Sequence, residues 1–71
     1  MTLQDYAKQH GIQWKAVERD LTEIIKSHDR EAEPLYRNRL YGLRAGRLKA
    51  RAHELRAVLE YTGNEVQGFK D

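Results

Sequence analysis

The sequence predicts an all-α fold, and three observations carry that prediction. Trp14, Val17, Leu21, Ile24 and His28 are spaced three and four apart, which places them on one face of a helix. A longer run, about 34–61, keeps the same spacing along two separate rows. Helix punctuation falls where these runs require it: Thr2 before the first, His10-Gly11 between the first two, and Thr62-Gly63-Asn64 after the last.

The first helix is expected at about 3–10. Thr2 can cap its start, and Asp5 can return a bond to the cap. Gly11 accepts the left-handed geometry that closes a helix. The second helix is expected at about 13–28, with Ile25 widening its apolar face. Ser27-His28-Asp29 weakens that run, and a break is expected at about 29–33. Pro34 suits the first turn of the next element, a single long helix over about 34–61. One of its rows is Tyr41, Ala45, Leu48, Ala52, Leu55 and Leu59; the other is Tyr36, Leu40, Leu43, Ala50, Ala57 and Tyr61. A helix with two apolar rows can pack on its own domain and on a second copy at once. Gly42 and Gly46 each cost about 1 kcal/mol against alanine inside a helix. They mark either a local break or a close approach of another backbone. Residues 1–61 are thus expected to form one helical domain, and 62–71 a flexible tail.

The chain has 71 residues and no cysteine. A core this small is marginal alone, and disulfides and thiolate metal sites are unavailable to reinforce it. Self-association is therefore expected: a homodimer through Tyr41, Leu48, Ala52, Leu55 and Leu59. The absence of cysteine, of a signal-peptide apolar run and of any bilayer-length segment points to a cytoplasmic protein with no membrane partner.

Charge is segregated along the chain. Residues 1–34 carry a net charge of −2. Residues 35–56 hold Arg37, Arg39, Arg44, Arg47, Lys49, Arg51 and Arg56 against Glu54 alone, and residues 57–71 return to −2. An anionic partner should meet the middle block first. On one continuous helix, Arg37, Arg44 and Arg51 would form a stripe with Arg47 beside it, suited to phosphate. The same block also reads as a solvated face paired with the acidic residues of the first two helices.

The segment Leu3–Leu21, LQDYAKQHGIQWKAVERDL, carries the most information. Ala7 is small enough for two helices to cross. Gly11 follows four residues later in the turn, then come Ile12 and, five further on, Val17, which can pin the second helix to the first. This pattern resembles the helix-turn-helix of bacterial and phage repressors of the Cro type. The sequence departs from it at His10, where an aliphatic residue is usual, and at Asp20, although Leu21 can serve in its place. The resemblance implies a small DNA-binding regulator of phage or plasmid type, with its second helix in the major groove of double-stranded DNA. It implies DNA contacts from Gln13, Trp14, Lys15 and Arg19, and Arg44, Arg47 and Arg51 would add phosphate contacts. The alternative is a helical module that inhibits or adapts a host protein through its aromatic and arginine-rich surface; Glu18, Asp20 and Glu23 on the second helix fit that reading better.

No enzyme is expected. His10, His28 and His53 are scattered without a second ligand at metal-binding spacing. There is no glycine-rich phosphate loop and no nucleophile paired with a base. No metal, cofactor or small-molecule ligand is anticipated.

Overall fold

A computed structural model describes residues 1–70. Among them are four helices and no strand: α1 (Leu3–Gln9), α2 (Trp14–His28), α3 (Arg37–Arg44) and α4 (Ala52–Thr62). No helix among these residues is long and apolar enough to cross a membrane.

α1 begins as its residues require. The Thr2 hydroxyl accepts from the Asp5 N–H at 3.0 Å, and Asp5 accepts from the Thr2 N–H at 3.3 Å, a reciprocal cap. Gly11, at φ +66°, turns the chain, and the Ile12 N–H closes on the Ala7 carbonyl at 2.8 Å. α2 buries Val17, Leu21 and Ile25 and packs principally along α4, which contributes Ala57 and Val58. Leu3 and Ala7 from α1, Leu40 and Leu43 from α3, and Leu35 from the connection complete the core with two residues from the C-terminal segment. Thr22 ties that connection down: its hydroxyl accepts from the Leu35 N–H at 3.1 Å and donates to the Leu35 carbonyl at 3.3 Å.

The expected helix over 34–61 is two helices. Pro34 and Tyr36 precede α3, and residues 45–51 leave the helical path. Gly46 sits at φ +79°, and the Arg47 and Leu48 N–H groups both turn back onto the Gly42 carbonyl at 2.9 and 3.2 Å. Leu48 folds over Gly42 so closely that a Cβ there would lie 2.5 Å from its Cδ1. Gly46 is therefore the break, and Gly42 a close approach, though of the Leu48 side chain and not of another backbone. The seven residues from 45 to 51 span one heptad, so the apolar spacing of α3 and α4 stays in phase across the interruption and imitates one helix.

A buried ion pair holds this connection. Glu54 is 1% exposed. Its Oε2 accepts from Arg39 Nε at 2.5 Å, and its Oε1 accepts from Arg39 Nη2 and from the Arg51 N–H, both at 2.7 Å. Arg39 Nη2 also donates to the Lys49 carbonyl at 3.3 Å. Burial pushes the Glu54 carboxyl up, but the Arg39 guanidinium and the Arg51 N–H outweigh it and hold it below its ordinary range. Glu54 raises Arg39 in turn.

The C-terminal segment is not the frayed tail expected from 62–71. The Thr62 hydroxyl donates to the Val58 carbonyl at 2.8 Å and accepts from the Val66 N–H at 3.1 Å. That bond folds the chain back so that Val66 and Phe69 enter the core at 1% and 3% exposure. Lys70 then passes beside Gly46. Asp71 lies outside the described residues.

Candidate nucleic-acid interface

The start of α2 is presented by α1 and the Gly11 turn. Ala7 and Val17 are buried beneath it, and Ile12 packs against the core, so the second helix is braced by its inner face. Gln13 is the N-cap residue but makes no side-chain cap bond, and no acidic residue occupies the first turn. Gln13, Lys15 and Arg19 are exposed, whereas Trp14 and Ala16 are partly buried. Arg19 turns towards Asp20, Nε to Oδ1 at 3.3 Å. Asp20 itself is held by Tyr61, whose hydroxyl donates to Oδ2 at 3.0 Å. Burial first, and then the Asp20 carboxylate, push the Tyr61 hydroxyl up to about 12. Asp20 at this edge of α2 is thereby explained, and Leu21 fills the apolar position beside it at 0% exposure.

α3 ends against the same site. The Arg44 guanidinium carbon lies 5.1 Å from the Trp14 ring centroid and 4.9 Å from that of Tyr41, within cation–π range of both. Two hollows adjoin it. One is lined by Gln4, Ala7, Lys8, Ile12, Trp14 and Arg44, the other by Asn38, Tyr41, Gly42, Arg47 and Leu48. No carboxylate lines either one. A third hollow, on the solvent face of α2, differs in charge: Glu18 and Glu23 stand there with Gln13, Lys15, Arg19 and Tyr36.

Trp14 and Arg44 thus come together, with Lys15 and Gln13 at the same end of α2. Arg47 reaches the neighbouring hollow from the connection. Arg51 stands apart: its Nη1 donates to Glu33 at 2.8 Å, and that pairing holds the fully exposed Glu33 carboxyl below its usual range. Because the helix breaks at 45–51, Arg37, Arg44 and Arg51 do not form one stripe. Lys8 and Gln4, which border the same hollow as Trp14, were not among the expected contacts; their i, i+4 spacing on α1 was the available signal. The sequence reading also missed Tyr41 as the support for Arg44, having assigned it to the row facing a second copy.

That row is likewise discontinuous. Tyr41 lies on α3, Leu48 in the connection, and Ala52, Leu55 and Leu59 on α4. Tyr41, Leu48 and Ala52 are exposed, whereas Leu55 is half-buried and packs on the chain's own core. The histidines are dispersed: His10 stacks on Tyr6 at 4.2 Å between ring centroids, His28 Nε2 contacts Glu60 at 2.7 Å, and His53 is partly buried. Comparison with family models, curated proteins and solved structures finds no match to this chain.

Proposed function

We propose that the chain is a small cytoplasmic DNA-binding regulator of phage or plasmid type, acting as a homodimer, with α1 and α2 as its helix-turn-helix. The observation that carries this reading is the first turn of α2. It is braced from behind by Ala7 and Val17, has neither a side-chain cap nor a carboxylate, and presents Gln13 and Lys15 to solvent. A helix start of this kind favours approach to a polyanion, and an amide and an ammonium there can meet base edges and phosphates in a major groove. The acid-free hollow lined by Lys8, Trp14 and Arg44 adjoins the same end of α2, while Gln13 and Lys15 themselves border the hollow that also holds Glu18 and Glu23. In a dimer the two α2 helices would address successive half-sites; Leu48, 44% exposed, is the apolar residue we assign to self-association.

The test is duplex DNA binding across a salt series. Affinity falling steeply with salt, log against log, supports the reading; a flat response or no binding removes it. Sedimentation tests the dimer: a mass near twice 8.4 kDa is expected, and Leu48→Asp should return it to the monomer. Leu55→Asp would not discriminate, because it would damage the core of each copy.

A second reading has its own observation. The hollow on α2 sets Glu18 and Glu23 among cations and beside Tyr36, which is 66% exposed. That mixed, aromatic surface suits a protein partner that the module inhibits or adapts. A partner retained from lysate by the wild type and lost with Tyr36→Ala, together with indifference to duplex DNA, would favour it.

A further inference from the structure

We infer that Arg44 is a preset phosphate clamp, which on the DNA-binding reading above takes the backbone of the duplex. Arg39, Arg51 and Arg19 have carboxylate partners, Glu54, Glu33 and Asp20; among the described residues Arg44 has none, and of the arginines without one it is the arginine held against aromatic rings. Among the described residues, Arg44 makes no side-chain hydrogen bond and no ion pair. Its guanidinium is held instead by the faces of Trp14 and Tyr41, at 5.1 and 4.9 Å. Aromatic faces engage the cation without consuming its N–H donors, so the forked edge keeps its capacity for an oxyanion. The two rings also restrict a side chain that would otherwise lose much rotamer freedom on binding.

The surroundings favour an anion over any other ligand. Lys8 lines the hollow on one side of Arg44 and Arg47 the hollow on the Tyr41 side. Gln4 and Asn38 add neutral donors, and no carboxylate lines either hollow. Lys8 comes from α1, Arg44 from the end of α3 and Arg47 from the 45–51 connection, so tertiary structure and not one helix face places cations on the two hollows. A phosphate on Arg44 would lie beside Trp14, the first residue of α2, and so fix the position of that helix along a backbone.

The experiment compares wild type with Arg44→Gln, Arg44→Lys, Tyr41→Leu and a distant control, Arg30→Gln, which lies past the far end of α2. Circular dichroism first establishes that each variant is folded. Duplex affinity is then measured against salt, and the emission of Trp14, the one tryptophan of the chain, is followed on addition of inorganic tripolyphosphate. Arg44→Gln should lower the log–log salt slope by about 1 and weaken binding roughly tenfold. Arg44→Lys should keep most of the slope but bind less tightly, because an ammonium has no planar fork. Tyr41→Leu should weaken binding without changing the slope, and Arg30→Gln should match the wild type. Tripolyphosphate should change Trp14 emission in the wild type and not in Arg44→Gln. Unchanged slope and affinity in folded Arg44→Gln would overturn the clamp while leaving the helix-turn-helix reading intact. A wild type that ignores duplex but still gives the Arg44-dependent emission change removes the DNA reading and keeps the clamp. Loss of both responses overturns both.

Discussion

Two connections between helices in this molecule turn the chain at a glycine of positive φ, and they are built differently. The turn between α1 and α2 is local. Gly11 supplies the left-handed step, the Ile12 N–H closes on Ala7, and a Cβ at Gly11 would meet nothing within 4 Å. The connection between α3 and α4 is held from outside. Gly46 supplies the step there, but Arg39 and Glu54, fifteen positions apart, fasten its ends, and the Lys70 side chain lies against it. The first turn can be specified by a short peptide; the second needs the folded domain. The candidate interface draws on both, since Trp14 follows the first and Arg44 and Arg47 flank the start of the second.

The sharpest way to break this contrast is to remove Arg39. Arg39→Ala strands the Glu54 carboxylate in the interior, and a loss of about 3–5 kcal/mol is expected. For a 71-residue domain that is most of the stability, and it would be read as a collapse of the urea midpoint. Replacing both partners with apolar residues of similar volume should recover much of the loss, because no charge is then left unpaired. Phe69→Ala should cost about 3 kcal/mol. A truly frayed tail would give no change, so this variant checks directly whether residues past Thr62 belong to the core.

Acid should act on the second connection and spare the first. The Glu54 carboxyl is held below its ordinary 4.5 in the folded state, so the unfolded chain binds more protons between the two values. The pair's contribution is complete above about pH 4.5 and is lost as pH falls through the folded value. A urea midpoint that declines below that point in wild type, and declines less in Glu54→Gln, is the expected result. The smallest effects come from the glycines. Gly11→Ala should cost about 1 kcal/mol, from backbone strain alone. Gly46→Ala should cost somewhat more, since its Cβ would also come to 3.1 Å from Lys70.

The same contrast explains what was legible in the sequence. Thr2, Asp5, Ala7, Gly11 and Val17 announce α1, the turn and α2 because each acts on residues at most five positions away. The break in the supposed long helix was hidden. Its seven residues preserve the heptad phase of Leu40, Leu43 and Ala57, and Glu54 reads as a solvated charge until Arg39 is seen to reach it across the connection. The C-terminal segment was misread because two apolar residues among polar ones, Val66 and Phe69, show no period; only the Thr62 hydroxyl turns them inward. The place of Gln13, Trp14, Lys15 and Arg19 on the first turns of α2 was legible from the Gly11 turn and the apolar spacing that follows it. The meeting of Arg44 with Trp14 was not, since it depends on how α3 lies across the end of α2.

The most direct test is to map the backbone amides of isotope-labelled protein by NMR while duplex DNA is added at low salt. Shifts concentrated at residues 11–16 and 44–48, with those of α4 and residues 62–70 unmoved, are the predicted result. Shifts centred instead on Glu18, Glu23 and Tyr36, or no shifts at all, would contradict it.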